Sequence, residues 1–198
     1  MIIEVDAEDL RKLRQMIRDL SDQEKALYRS LKKTLGNMKT QSAKEIRRHL
    51  NLKAARVKKD LSAIGPNKSD LSARLRCKSR PVGLTRFGAK QNRKGVRVKV
   101  LKGGSSRQID HAFIADLKNG NQQVVIRQTD MRGTEPQKPG VNYPALPHKY
   151  RLAIKVLYGP RVADWLARPE IRNPVERFAA DKLSENIDRE IMAILKGY

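Results

Sequence analysis

The chain has one cysteine, Cys77, in 198 residues. A disulfide framework inside the chain and a cysteine-based zinc cluster are both excluded. Aromatics are scarce, with one Trp, five Tyr and three Phe, too few to interleave with the basic residues as stacking platforms for single strands. The three histidines, His49, His111 and His148, stand far apart. None has a second ligand three or four residues on, so no metal site is expected. No apolar run approaches the length of a transmembrane helix, so no membrane partner is expected. The segment Met1–Asp6 lacks the basic and long apolar regions of a secretory signal, and the expected compartment is a reducing cytoplasm. Acids are thin in the middle of the chain. Between 71 and 159 there are only Asp110, Asp116, Asp130 and Glu135. A metal-dependent nuclease needs several carboxylates close together, so the pair Asp110-His111 is not read as an acid–base centre. Gly103-Gly104-Ser105-Ser106-Arg107 lacks the spacing and the Lys-Ser/Thr pair of a phosphate-cradling loop and reads as a hairpin turn. Cys77 reads as a small apolar core residue. No catalytic residue, no cofactor and no enzyme activity are expected.

What the chain has is positive charge. Lys and Arg total 43 against 21 Asp and Glu, a net of +22. Apolar residues are 39%, enough for a lean core. The charge is uneven: residues 1–70 carry a net of +7, residues 71–159 a net of +15 and residues 160–198 a net of zero. The window 44–107 alone holds 20 basic and 3 acidic residues. Charge added only for solubility would be spread along the chain. This gradient points the middle of the molecule at a polyanion and the C-terminal part at solvent or protein. The candidate phosphate-contacting residues are Lys53, Arg56, Lys58, Lys59, Arg74, Arg76, Arg80, Arg86, Lys90, Arg93, Lys94, Arg97 and Lys99. The competing reading is a solvated basic surface. No recognition-helix pattern stands out.

Hydrophobic periodicity gives the elements. Leu10, Leu13, Ile17 and Leu20 share one face and predict a helix over 7–20. Ser21 and Glu24 form a capping-box pattern that starts a second helix. Its stripe is Leu27, Leu31, Leu35, Met38 and Ile46, with a kink expected at Gly36. A short basic helix is expected across 53–61, and Gly65-Pro66-Asn67 closes the helical part. From Leu71 the period becomes two. Leu71, Ala73, Leu75 and Cys77 alternate with Ser72, Arg74, Arg76 and Lys78. Val96, Val98 and Val100 alternate with Arg97 and Lys99 in a strand over 96–102. Such strands predict an antiparallel sheet with one basic, exposed face. Further strands are expected at 82–87, 111–117, 122–128 and 152–158, with a flexible basic tip at 88–95. Residues 133–150, rich in proline, read as an irregular loop. Gly159-Pro160 opens a short helix containing Trp165. After Pro169 and Pro174 a final helix runs to about Lys196 on the stripe Val175, Phe178/Ala179, Leu183, Ile187, Ile191 and Ile194/Leu195. Trp165 reads as core, with a contact on a neighbouring subunit as the alternative. The fold class is α+β, with long N-terminal helices and a C-terminal helix packed on a mainly antiparallel β-sheet. Three regions are expected, 1–66 helical, 67–159 basic and β-rich, and 160–198 helical, forming one compact domain.

Longer strings carry a resemblance. Arg80–Gln91 (RPVGLTRFGAKQ), Gly95–Gly104 (GVRVKVLKGG), His111–Ala115 with Leu117–Gly120, and Ile154–Pro160 together with the final helix resemble the minor tail protein Z family of lambda-like phages and prophages. The resemblance covers roughly 71–198. Over 1–70 it is one of helical character and basic charge. It implies a structural virion protein with a tail-completion or neck-type fold and no catalytic residue. It also implies a role at the head-proximal end of the tail, in the neck of the virion, after assembly in the host cytoplasm. The implied partners are further copies of the chain in a ring, expected to be a hexamer, the tail terminator and tail tube proteins, the head connector, and the end of the packaged DNA.

A ring that receives a genome end needs a basic lumen. The residues expected to face DNA are Arg74, Arg76, Arg86, Lys90, Arg93, Lys94, Arg97 and Lys99. Subunit contacts are expected at Leu84 and Phe87 on one side and at the 159–168 segment, with Trp165, on the other; Tyr158 is expected at the interface too. The alternative reading is a free nucleic-acid-binding protein without sequence preference.

Overall fold

The computed structural model describes residues 20–67, 70–117, 120–127 and 154–196. The helix expected over 7–20, apart from its last residue, lies outside these, as do loop 133–150 and the start of the strand expected at 152. The chain divides into two units. One comprises 1–80 with 161–198, the other 81–160. The N- and C-terminal helical regions therefore belong to the same unit.

In the first unit, α1 (Leu20–His49) is followed by α2 (Ala54–Asp60) and the hairpin β1 (Leu61–Ile64)–β2 (Arg74–Cys77). After the second unit the chain returns with α3 (Val162–Leu166) and α4 (Pro169–Leu195). The predicted stripe is what α1 buries: Leu27, Leu31, Leu35, Met38 and Ile46 are all nearly inaccessible. Facing it, α4 buries Ile171, Val175, Ala179, Leu183, Ile187 and Ile191, one residue per turn along a single face. Each Val, Leu, Ile or Met among them contributes about 1.5–3 kcal/mol. The two helices run antiparallel, because Thr34 meets Asn186 while Arg29 and Lys33 meet Glu190.

Polar groups set the register of this pair. Asn186 Nδ2 donates to Thr34 Oγ1 at 2.9 Å in a buried position. Lys33 and Arg29 reach Glu190, whose side chain is 7% exposed. A buried carboxylate without cations would carry a large desolvation cost, so a slip of one turn between α1 and α4 is penalised twice.

Several local expectations are corrected. Ser21 is helical, so it does not cap α1; nothing in Leu20–Glu24 breaks a helix, and a local cap worth about 1 kcal/mol does not override that. The basic helix ends at Asp60, and Leu61–Ile64 becomes a strand because β2 pairs with it in antiparallel register, Leu61 opposite Cys77 and Ile64 opposite Arg74. Gly159-Pro160 lies in a strand before α3 instead of opening it. Helix α4 starts at Pro169, its first helical position, and Pro174 lies inside it. A proline suits the first position, where the N–H has no helical partner. Pro174 is exposed, and having no N–H it removes one hydrogen bond from the early turns of the helix.

The second unit holds β3 (Pro81–Gly83), a 3-10 turn (Leu84–Phe87), β4 (Lys90–Asn92), β5 (Gly95–Val98), β6 (Arg107–Asp110), β7 (Ala112–Asp116), β8 (Gln122–Arg127), β9 (Ile154–Val156) and β10 (Tyr158–Arg161). Among the described residues the strands form four small sheets: β1-β2, β10-β3, β4-β5-β6 and β7-β8-β9. The last two are antiparallel throughout. The class is α+β with mainly antiparallel pairing, and the β part is divided rather than one sheet.

The strand expected over 82–87 is three residues long. Leu84 and Phe87 then turn in together, as their spacing of three allows in a 3-10 turn, and Gly88 closes it at φ 71°. Phe87 is fully buried, with Val82, Val96, Val124 and Val125 also at 0% exposure. Gly159 lies flush on the Phe87 ring; a Cβ there would stand 2.5 Å from Cε2.

Candidate functional site

The segment 88–95, expected as a flexible tip, is an ordered hairpin. Lys90-Gln91-Asn92 pairs with Gly95-Val96-Arg97. The Asn92 side chain builds the turn: its Oδ1 accepts from the N–H of Lys94 at 3.0 Å and of Gly95 at 2.9 Å. Gly95 has φ +152°, and a Cβ there would lie 2.1 Å from the Ile109 carbonyl oxygen. The turn therefore requires glycine. His111 takes φ 59° at the corner between β6 and β7, and its N–H donates to the Lys94 carbonyl at 3.0 Å. Asn92, Gly95 and His111 together hold Arg93 and Lys94 at the exposed end of the hairpin.

Strand alternation divides the β4-β5-β6 sheet into two faces. Val96 and Val98 are buried on one. The other carries Lys90, Asn92, Arg97, Gln108 and Asp110. Lys90 stands directly opposite Arg97, and Arg97 opposite Gln108. Like charges opposed across a ladder repel. Lys90, Arg93, Lys94 and Arg97 are all exposed. Among the described residues none of them is paired with a carboxylate.

Of the eight residues expected to face DNA, the structure brings Lys90, Arg93, Lys94 and Arg97 together on this hairpin. Lys99 follows β5 and is half-buried; Arg86 is exposed on the 3-10 turn. Arg74 and Arg76 belong to the other unit, on β2 opposite Ile64 and Ser62, and Arg74 lies 3.7 Å from Asp70. Sequence reasoning passed over Asn92 and Gln108. An Asn-x-x-Gly string at a basic turn was the signal for Asn92.

The four residues expected at subunit contacts are placed unequally. Leu84 and Phe87 are buried within the second unit at 6% and 0% exposure, and Trp165 is buried in the first at 8%. Only Tyr158, 55% exposed, offers apolar surface directly. Ile154, 44% exposed, was not singled out from the sequence. Trp165 is held by His49, whose ring stacks at 5.6 Å, and by the Arg168 guanidinium at 3.8 Å.

Cys77 is half-buried. Burial first, then the nearby carboxylates of Asp60 and Asp164, push its thiol up to about 11. A thiol so held is a poor nucleophile at neutral pH. Among the described residues no group of three or more His, Cys, Asp or Glu could hold a metal ion, and no helix is long and apolar enough to cross a membrane.

The charged, preformed face of the hairpin has the form of a binding surface. The chain matches the model of the prophage minor tail protein Z family over residues 9–198. It belongs to that family of phage tail-completion proteins, and its role is a structural one in the phage tail. Neither the curated proteins nor the solved structures yield a match.

Proposed function

We propose that the protein is the tail-completion component of the neck, at the head-proximal end of the tail. It joins the tail terminator and tail tube to the head connector as a ring of six copies. Its basic face lines the channel that receives the end of the packaged DNA. The observation that carries this reading is the pair Lys90 and Arg97, opposed on an exposed face without a carboxylate partner among the described residues. That arrangement is unfavourable alone and favourable beside a polyanion.

A closed ring of identical copies needs two different complementary patches on each. Tyr158 and Ile154, more exposed than aromatic and aliphatic side chains usually are, supply one. Phe87 acts on the first patch from beneath, through Gly159, which lies on its ring. The face around Trp165 is the candidate for the second.

Cryo-electron microscopy of the head–tail junction tests this. The expected result is a six-fold ring of this chain with residues 88–102 nearest the axis. Its absence from the mature particle would overturn the reading. Charge reversal of Arg93, Lys94 and Arg97 together is expected to reduce infectious particles while leaving the fold intact.

A further inference from the structure

We infer that the β4–β5 hairpin is a docking site for duplex DNA that reads phosphate and is blind to base sequence, and that its own like-charge repulsion is relieved when DNA binds. The inference deepens the neck reading above, on which the presence of DNA at this face rests.

An amide side chain reads adenine when its donor and acceptor are both free, and an arginine or lysine reads guanine when it is aimed at O6 and N7. The amides on this face are Asn92 and Gln108, and they are spent on each other. Asn92 Nδ2 donates to Gln108 Oε1 at 2.9 Å, and Gln108 Nε2 donates to Asn92 Oδ1 at 3.1 Å. Asn92 Oδ1 also accepts the two backbone N–H groups of the turn. Releasing the amides for a base would dismantle the hairpin. The donors of Lys90, Arg93, Lys94 and Arg97 remain, and among the described residues no ion pair holds these exposed side chains in the single pose that a guanine edge needs, whereas phosphate oxygens accept them in many poses.

Strand type follows from what else the face lacks. None of Lys90, Asn92, Arg97, Gln108 and Asp110 is aromatic, so a single strand finds no stacking surface. The denser charge of a duplex is the better partner for fixed cations. One carboxylate, Asp110, shares the row of Asn92 and Gly95 and tempers the field without cancelling it.

The opposed pair makes a prediction that a purely structural role would not. Lys90→Glu places a carboxylate opposite Arg97 and converts repulsion to attraction. The variant should therefore melt at a higher temperature than the parent and bind DNA more weakly. Titration of the full chain against labelled duplexes of about 20 base pairs, by fluorescence anisotropy over a range of salt, reads both strength and mechanism. Four phosphate contacts give a slope of log affinity on log salt near about −3.6, and loss of one brings it to about −2.7. Two duplexes of unrelated sequence should bind within about two-fold of each other, and the matching single strand more weakly. Asp110→Asn should tighten binding.

A sequence preference above about ten-fold, tighter binding of the single strand, or a Lys90→Glu variant that melts lower or binds DNA as well as the parent would each overturn the inference. Polyglutamate binding as tightly as the duplex would assign the face to an acidic protein and overturn it too. The neck reading fails separately. A ring seen at the junction with no duplex binding in solution removes this inference alone. Duplex binding without a ring removes the neck reading alone.

Discussion

The Arg168 guanidinium sits 3.8 Å from the centre of the Trp165 ring. It ties the residue just before α4 to the buried face of α3, while His49 at the end of α1 stacks on the same indole. One aromatic thus gathers three helix ends within the first unit. Arg168→Ala removes the cation–π contact at an exposed residue, and a loss of about 0.5–1 kcal/mol is expected. Trp165→Ala should cost about 3–5 kcal/mol. Urea unfolding followed by far-UV circular dichroism separates the two. Equal effects would mean that the guanidinium, not the packing, holds this corner.

Gly36 is exposed in mid-helix, and a Cβ there would meet nothing within 4 Å. Gly36→Ala is expected to stabilise the protein by about 0.4–1 kcal/mol through the unfolded chain and helix propensity. A thermal melt checks it. A loss of stability would show that the bare backbone at this position has a use that the helix alone does not explain.

Gly95 and His111 should respond in opposite directions. Gly95→Ala drives a Cβ into the Ile109 carbonyl oxygen at 2.1 Å, and a loss above about 2 kcal/mol is expected. His111→Gly relieves a left-handed backbone at φ 59°, a gain of about 1–2 kcal/mol offset by about 0.5–1 kcal/mol of added freedom in the unfolded chain. The His111 backbone N–H still reaches Lys94. Melting temperatures of the two variants decide the matter.

Cys77 gives stability a pH dependence. Its folded-state value, about 11, lies above the ordinary 9.0. Between these values the folded state holds the proton that the unfolded state has lost, so ionisation favours unfolding. The thiol's contribution is complete below about pH 9 and declines as pH rises towards about 11. Cys77→Ala should flatten this part of the profile, whatever it does to stability at neutral pH. Alkylation at pH 8 should be much slower in the folded protein than in urea.

The long elements were legible because their patterns are long. Five apolar positions from Leu27 to Ile46 and the matching run from Val175 to Ile191 leave one face to bury, and the alternation around Leu75 and Val96 leaves one strand face. The short elements were not legible, for identifiable reasons. Leu61–Ile64 is a strand because Arg74–Cys77 lies beside it, a partner that no local window contains. Lys90-Gln91-Asn92 has no apolar residue, so it has no period. It pairs through its backbone and through a turn built by Asn92. Leu84 and Phe87, three apart, suit a strand end and a 3-10 turn alike, and Gly88 at positive φ decides between them. Pro160 argues against a central strand, yet among the described residues β10 pairs with β3 alone, and such a position tolerates proline. The basic window was legible as charge but not as a surface. Chain order joins Arg74 and Arg76 to Lys90 and Arg97, and the fold assigns them to different units.

The route of the chain has a consequence for its length. The helical unit breaks off at Arg80 and resumes at Arg161, and at that break Arg161 Nη1 donates to Ser79 Oγ at 3.5 Å. Two chain ends that meet can be joined by almost any length of polypeptide, because closure entropy grows only with the logarithm of the loop. Closure cost alone therefore sets no length for residues 81–160, and α1 and α4 can keep their register on Thr34, Asn186 and Glu190 when that length changes.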